Sequence, residues 1–164
     1  NGGGNVSPMI LERLSREPYR LTMRRGSARI GTVPDAVQVG PKVCLINKYS
    51  ASDGDLFPWG FRALGLGKLI GTRTWGGIVG ISGSLPYMDG TDIRVPFFTS
   101  FDPKTGSWII ENHGVDPDIL IDNDPVKEWN GEDQQLDRAI QEVMKELQNR
   151  KPLPGVPTPR DFSK

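Results

Sequence analysis

The sequence is poor in the residues that build disulfide bonds, zinc sites and membrane spans. It contains one cysteine and one histidine among 164 residues. A single thiol cannot close an internal disulfide, and without a Cys/His cluster there is no basis for a zinc site. No apolar run approaches the length that crosses a bilayer. We therefore expect no bound metal and no membrane partner.

The chain also has no excess of either charge. Its 20 Lys and Arg residues are matched by 20 Asp and Glu residues, so the formal net charge is zero at pH 7. A general nucleic-acid-binding protein normally carries a basic surplus, and we expect no nucleic acid partner here. No signal peptide opens the chain, but this absence says little because the chain does not begin like a natural start. The location is left open between a cytoplasmic one, which is favoured, and a secreted or periplasmic one.

Glycine and proline, by contrast, are abundant. They contribute 20 and 14 residues, beside a hydrophobic share of 36%, a composition that suits a loop-rich α/β or α+β domain. The chain opens on Asn1 rather than on methionine, inside a glycine-rich motif, so we expect it to be part of a longer protein. Several prolines follow Lys151 and predict an extended tail at 151–164 after a folded unit at 1–150.

Local patterns in the middle of the chain predict a strand, a helix and a second strand. The apolar run at 43–47 predicts a buried strand, and the segments 56–66 and 68–72 predict the helix and the second strand. This alternation implies a right-handed crossover and a parallel pair. Cys44 lies in the first run, where a buried structural thiol is expected.

Further elements are predicted on either side of this unit. They are helices at 7–15 and 132–148, strands or extended segments at 19–24 and 108–111, and a hairpin in which 85–88 pairs with 93–98 around an Asp-Gly turn. The helix at 132–148 places Leu136, Ile140, Val143 and Leu147 on one apolar stripe.

A serine-containing turn at 47–55 follows the first strand. A small-residue turn in this position can hold a hydroxyl exposed while the N–H of the next residue faces a developing oxyanion. Ser52 and Ser50 are the two candidates for that hydroxyl. Such turns also carry Ser and Asp simply as helix caps, and Asp53 and Asp55 fit that alternative.

Four motifs in order give this turn its context. They are Asn-Gly-Gly-Gly-Asn at 1–5, Tyr-Ser-Ala-Ser-Asp-Gly-Asp at 49–55, Gly-Thr-Arg-Thr-Trp-Gly-Gly at 71–77 and Glu-Asn-His-Gly-Val-Asp-Pro-Asp at 111–118. Together they resemble the C-terminal catalytic part of the tricorn-type serine proteases, relatives of the carboxyl-terminal processing proteases. The resemblance implies an α/β fold of the ClpP/crotonase-like ββα spiral type. Residues 1–150 would form the C-terminal part of its catalytic domain.

The resemblance also implies roles for individual residues. Ser52 matches the family's nucleophile, and Asp53 would contribute its backbone amide to the oxyanion hole. The second amide would come from Gly3, with either neighbouring glycine possible. Glu111 matches the acid of the catalytic set, which in these proteases is a Ser-His-Ser-Glu tetrad.

The catalytic histidine of the family, with a helper serine beside it, lies ahead of the glycine motif and outside this sequence. The only histidine here, His113, belongs to the Glu111 motif, and we expect it to be a structural loop residue. The isolated chain is therefore expected to be inactive or nearly so, with the remainder of the protease supplying the base. The resemblance further implies no cofactor, a peptide or unfolded chain end as substrate, and assembly into homo-oligomers.

Two other functions fit the same residues. The chain could be a non-catalytic peptide-binding or scaffold module of a pseudo-protease. It could also be a crotonase-like acyl-CoA enzyme, which pairs amides at an oxyanion but has no need of Ser52. No acid between residues 16 and 36 stands where it would select basic side chains, so the substrate preference is left open. Trp59, Phe61 and Trp75 could line an apolar pocket, although core packing is favoured.

Overall fold

The computed structural model describes residues 2–27, 29–83 and 86–159. Its helices and strands are α1 (Ser7–Ser15), β1 (Arg20–Met23), β2 (Ile30–Val33), β3 (Val43–Ile46), α2 (Asp53–Ala63), β4 (Lys68–Gly71), β5 (Gly80–Gly83), β6 (Arg94–Phe98), β7 (Ile119–Leu120), α3 (Pro125–Trp129) and α4 (Gln134–Asn149). No helix within the described ranges is both long enough and apolar enough to cross a bilayer.

Three parallel strands, in the order β3-β4-β7, form the central sheet of this mixed α/β fold. Because parallel neighbours need a crossover, α2 connects β3 to β4. Side chains from the sheet, from α1 and α2 and from a loop form a buried hydrophobic cluster: Leu11, Ile46, Phe61, Leu69 and Val115. The carboxyl end of β3 leads directly into the serine turn, so the central sheet positions that turn.

The strand, helix and strand predicted in the middle of the chain form, as does the helix at 7–15. The first strand is not buried as predicted, because within β3 only Ile46 is buried and Leu45 is 42% exposed. The segment at 19–24 contains β1, which pairs antiparallel with β2. The prediction was wrong about where α2 begins, because the helix starts at Asp53 rather than at residue 56. The carbonyl of Ser52 already accepts the amides of Asp55 and Leu56, at 2.8 and 2.9 Å, so helical bonding begins inside the serine turn.

The predicted hairpin is only partly correct. Its second strand is β6, but the strand that pairs with it is β5, at 80–83, and not the segment at 85–88. Residues 84 and 85 lie outside the described residues. The Asp-Gly turn does form, with the Gly90 amide 2.9 Å from the Tyr87 carbonyl. The turn signal was therefore correct, but a longer connection separates the turn from the paired strands.

The strand predicted at 108–111 does not form. Trp108 makes a single isolated bridge to Phe101, and Glu111 lies in a turn. Asn112 has a φ of 61°, which is incompatible with continued extended backbone. The apolar run therefore ends in the turn that presents Glu111.

The helix predicted at 132–148 is confirmed as α4, and Asp133 caps it by accepting the Leu136 amide at 2.9 Å. Its apolar stripe is largely in solvent, since Leu136 and Ile140 are 46% and 52% exposed. The buried residues of α4 are instead Ala139 and Glu142. A hydrophobic stripe therefore identified this helix without identifying the face that packs.

Glu142 is buried near the middle of α4 and is paired with two cations. Its carboxylate accepts hydrogen bonds from Lys68 Nζ at 2.6 Å and from Arg138 Nη2 at 2.7 Å. The bond from Lys68 and then the bond from Arg138 lower the pKa of Glu142 to about 2. The same bond raises the pKa of Lys68.

This pair predicts a defined loss of stability in acid. Because the folded-state pKa of Glu142 is lowered, its contribution to the free energy of unfolding is fully present above its unfolded pKa of about 4.3. It is lost as the pH falls towards the folded-state pKa of about 2. We expect Glu142→Gln to flatten the dependence of the thermal midpoint on pH within this window. Glu132→Gln, at an exposed glutamate, is the matched control; equal slopes in both variants would contradict the assignment.

Candidate active site

Ser52 occupies a strained position at the junction of the serine turn and α2. Its φ and ψ are 54° and −114°, a combination that costs a non-glycine residue about 1–3 kcal/mol. The strain is maintained because the Ser52 amide donates to the Gly77 carbonyl at 3.1 Å while its own carbonyl accepts two helix amides. The side chain is half-buried, and its Oγ hydrogen-bonds to no residue within the described ranges. This is the geometry of a nucleophile elbow, in which a hydroxyl is presented without a structural task.

Ser50, the other candidate, is used in the turn itself. Its side chain is buried, and its Oγ accepts the Asn47 amide at 3.3 Å. Its carbonyl accepts the Trp75 amide at 2.9 Å. Ser50 therefore closes the turn that raises Ser52.

The glycine turn at 2–4 lies against Ser52. A Cβ at Gly3 would sit 3.0 Å from the Ser52 Cβ and 3.2 Å from its Oγ, whereas a Cβ at Gly2 would meet nothing within 4 Å. Gly4 approaches the Asp53 carboxylate instead, at 3.6 Å from the same construction. Of the three glycines, Gly3 is the one at which an added side chain would meet the hydroxyl.

The amide of Asp53 directly follows Ser52 in the chain and belongs to the first residue of α2. It donates no hydrogen bond to any residue that the structure describes. An unpaired N–H at a helix N-terminus carries partial positive charge and favours an anion. The Cβ position of Gly3 therefore faces the Ser52 side chain, and an unpaired amide follows Ser52 in sequence.

The side chains of Asp53 and Asp55 do not cap α2, and the sequence-based alternative was wrong on this point. The Asp53 carboxylate bonds to the start of α1, through the amides of Val6 and Ser7. Asp55 is 0% exposed, and its two oxygens accept the amides of Gly76 and Gly77. Both carboxylates therefore join distant segments to the serine turn.

Glu111 and Ser52 bind the same segment, residues 76–79, which Asp55 also binds. Its Oε2 accepts the amides of Ile78 and Val79, at 2.7 and 3.0 Å. The preceding residue, Gly77, accepts the Ser52 amide. Within the described ranges the second oxygen, Oε1, receives no hydrogen bond, so one side of this half-buried carboxylate can bind another group.

The chain is similar to several proteins of known sequence and structure. The profile of peptidase family S41 matches residues 1–121. The chain belongs to peptidase family S41. It is 43% identical over 154 residues to the tricorn protease of Thermoplasma volcanium and 42% identical over 150 residues to that of Thermoplasma acidophilum, which is 92% and 91% of this chain. The crystal structure of the tricorn protease matches 91% of this chain, with a TM-score of 0.83 and 41% identity. The predicted resemblance is confirmed, and the chain spans 14% of the length of each of these relatives.

The histidine of this S41 family member bonds to a nearby residue of its own loop. The His113 ring is 57% exposed, and its Nε2 lies 2.9 Å from the Asp116 carboxylate. Asp116 in turn lies 3.7 Å from Arg73 Nε. No hydrogen bond between His113 and Ser52 occurs in the part of the chain that the structure describes.

Two large cavities of this family member do not border Ser52. These cavities, of about 650 and 810 Å³, adjoin β1 and β2, the second also bordered by the tail at 154–159. A smaller cavity of about 310 Å³ borders Gly3 and Asp53, with Val6, Leu45 and Phe57 among its apolar walls. The smaller cavity is the one adjacent to the candidate oxyanion site.

The remaining candidate residues have structural surroundings. Phe61 is buried in the core and Trp59 packs against that core, as expected. The expectation of core packing was wrong for Trp75, which is 66% exposed. Burial raises the pKa of the Cys44 thiol to about 11, which keeps it protonated and unreactive at neutral pH. Among the described residues no three His, Cys, Asp or Glu side chains are grouped as metal ligands.

Proposed function

We propose that the chain carries the nucleophile, oxyanion hole and acid of a serine-type peptidase. The observation that carries this proposal is the conformation of Ser52, whose φ of 54° raises a free hydroxyl beside the backbone of Gly3. A structural serine gains nothing from that strain, since its Oγ bonds to none of the described residues. Strain of this kind is characteristic of functional turns.

The proposed reaction is acyl transfer from a peptide. Ser52 Oγ forms a bond to the scissile carbonyl carbon and gives its proton to a base, while the π electron pair moves to the carbonyl oxygen. The tetrahedral intermediate then expels the amine, which takes the proton from the base. Water repeats the sequence on the acyl-enzyme and releases the acid, restoring the Ser52 hydroxyl.

The oxyanion is the charge that the backbone is arranged to receive. The amides of Gly3 and Asp53 are the proposed donors, and the absence of a Cβ at Gly3 lets the two backbones approach. One such donor is worth about 10²–10³ in turnover. The N-terminal dipole of α2 adds to the field at the same point.

Glu111 is the proposed acid of the catalytic set. The amides of Ile78 and Val79 fix one of its oxygens, which leaves the other to orient a partner. In a Ser-His-Ser-Glu arrangement that partner is the helper serine and, through it, the imidazole.

The general base is proposed to come from outside residues 1–164. His113 is the only histidine of the chain, and its ring bonds to Asp116 at the surface. The isolated chain is therefore proposed to be inactive. The tricorn proteases it resembles are longer, which is consistent with a base on another segment.

The wider biochemistry follows the same proposal. The substrates are peptides or unfolded chain ends, no cofactor takes part, and the protease assembles as a homo-oligomer. Residues 1–150 complete a catalytic domain of the ClpP/crotonase-like spiral type, and residues 151–159 extend from it. Residues 160–164 of the predicted tail lie outside the described residues.

Labelling with a fluorescent fluorophosphonate tests the proposal. We expect the full-length protease to be labelled and the adduct to map by mass spectrometry to the peptide containing Ser52. The isolated 1–164 chain should label at background rate, since it has no base. An adduct on another residue contradicts the nucleophile assignment. An unlabelled full-length protein supports a non-catalytic peptide-binding module instead.

A further inference from the structure

The Asp53 side chain binds the start of another helix rather than its own. Its Oδ2 accepts the amides of Val6 and Ser7, at 3.0 and 3.1 Å. The Ser7 hydroxyl donates in return to the Asp53 carbonyl at 3.0 Å. Asp53 and Ser7 are 7% and 4% exposed, so these bonds are shielded from water. The two residues form a reciprocal clamp between α1 and α2.

This clamp lies directly beside the glycine turn. Val6 and Ser7 follow Gly3 and Gly4 in the chain, and a Cβ at Gly4 would lie 3.6 Å from the clamping oxygen. Asp53 also carries the backbone amide that directly follows Ser52 in the chain. A single residue therefore contributes one candidate oxyanion donor and holds the segment that contributes the other.

We propose that the Asp53 carboxylate is a positioning residue of the oxyanion hole. It fixes the glycine turn, and with it the Gly3 amide, at the distance from Ser52 that a tetrahedral intermediate requires. The inference rests on the peptidase function proposed above. It assigns to the Asp53 side chain a task separate from that of its backbone.

The way the other helices are capped supports this assignment. Asp124 and Asp133 cap α3 and α4 locally, as the residues directly before those helices. Val6 offers α1 no side-chain cap, and the cap comes from a residue 46 positions away. A remote cap of this kind registers two segments against each other, which a local cap cannot do.

The test is the rate at which a fluorophosphonate inactivates the full-length protease, separated into the maximal rate kinact and the half-saturating concentration KI. In Asp53→Ala the amide of residue 53 remains but the clamp is lost. We expect kinact to fall by at least about tenfold, up to the 10²–10³-fold worth of one donor, with KI unchanged. A structural defect that depletes folded enzyme lowers the labelled amount instead.

Asp53→Asn provides the rescue. Both amides bond to the same oxygen, so an asparagine oxygen in that place keeps both acceptors. We expect kinact of Asp53→Asn to stay within about threefold of the parent protein. A loss as large as that of Asp53→Ala overturns the clamp mechanism.

Asp133→Ala is the matched control, since it removes a helix cap that lies on α4. We expect it to lower the thermal midpoint while leaving kinact unchanged. If Asp53→Ala does not fold, Ser7→Ala carries the test: loss of its single bond to the Asp53 carbonyl is expected to lower kinact about fivefold. An unchanged kinact in Asp53→Ala, or in Ser7→Ala when that variant carries the test, overturns the inference.

These outcomes separate the inference from the function on which it rests. If Ser52→Ala is still labelled, the proposed nucleophile is wrong, and the clamp has no oxyanion hole to serve. If Ser52→Ala is not labelled and Asp53→Ala reacts as fast as the parent protein, the proposed function stands and the positioning role is refuted.

Discussion

Replacement of Ser52 by alanine is expected to abolish fluorophosphonate labelling of the full-length protease. The alanine is expected to keep the turn, in which residue 52 has a φ of 54°. It removes the Ser52 Oγ, which forms no hydrogen bond to any of the described residues. Loss of the nucleophile in a serine protease costs about 10⁶ in turnover, so peptide hydrolysis should fall to the detection limit. In-gel fluorescence and hydrolysis of an unfolded protein substrate measure the two effects.

Ser50→Ala is the matched control for this prediction. It removes a hydroxyl from the same turn, and its expected effect is on stability, because Ser50 Oγ accepts the Asn47 amide. A lost turn bond of this type costs about 0.5–1.5 kcal/mol, too little to deplete the folded enzyme at room temperature. The reverse result, with labelling lost in Ser50→Ala and kept in Ser52→Ala, would exchange the roles of the two serines.

The second large effect is expected at Glu111. Glu111→Gln keeps an oxygen that can accept the amides of Ile78 and Val79, so the segment beside Ser52 stays in place. What is lost is the negative charge that orients and stabilises the catalytic partner. Removing the charge of the acid in a comparable triad lowers kcat by about 10⁴, and we expect a fall of about 10³–10⁴.

Glu128→Gln provides the comparison for Glu111→Gln. Glu128 lies exposed on α3, and its replacement should leave both labelling and hydrolysis unchanged. Equal thermal midpoints for the parent protein and both variants show that the loss is chemical. If Glu111→Gln retains full activity, the acid of the catalytic set lies elsewhere.

The parts of this site that could be predicted are those encoded by neighbouring residues. The apolar run of β3 ends in small polar residues, and that local signal was enough to predict a strand followed by a serine turn. The choice of Ser52 over Ser50 came from the family resemblance. The structure adds a physical distinction between the two hydroxyls. The Oγ of Ser50 accepts a hydrogen bond within the turn, whereas the Oγ of Ser52 has no hydrogen-bond partner among the described residues.

The parts that could not be predicted depend on contacts between distant residues. The acidic pair Asp53 and Asp55 looks like a local cap in sequence, yet both side chains bind segments 21 to 47 positions away. Only the fold decides which backbone amides lie within reach of a carboxylate.

The same limit explains the errors outside the site. The Asp-Gly pair fixed a turn but could not determine which upstream segment would pair with β6, since that depends on a longer connection. The stripe on α4 identified a helix, but the buried residues of that helix are Ala139 and Glu142, and Glu142 is paired with the distant Lys68.

The position of the oxyanion is the most direct test of the account. A crystal structure of the full-length protease inactivated by a fluorophosphonate would place the phosphonyl oxygen relative to the backbone. We expect a covalent bond to Ser52 Oγ and an oxygen about 2.7–3.1 Å from the amide nitrogens of both Gly3 and Asp53. A phosphonyl oxygen that points into solvent, or that is bound by other amides, would contradict the central claim.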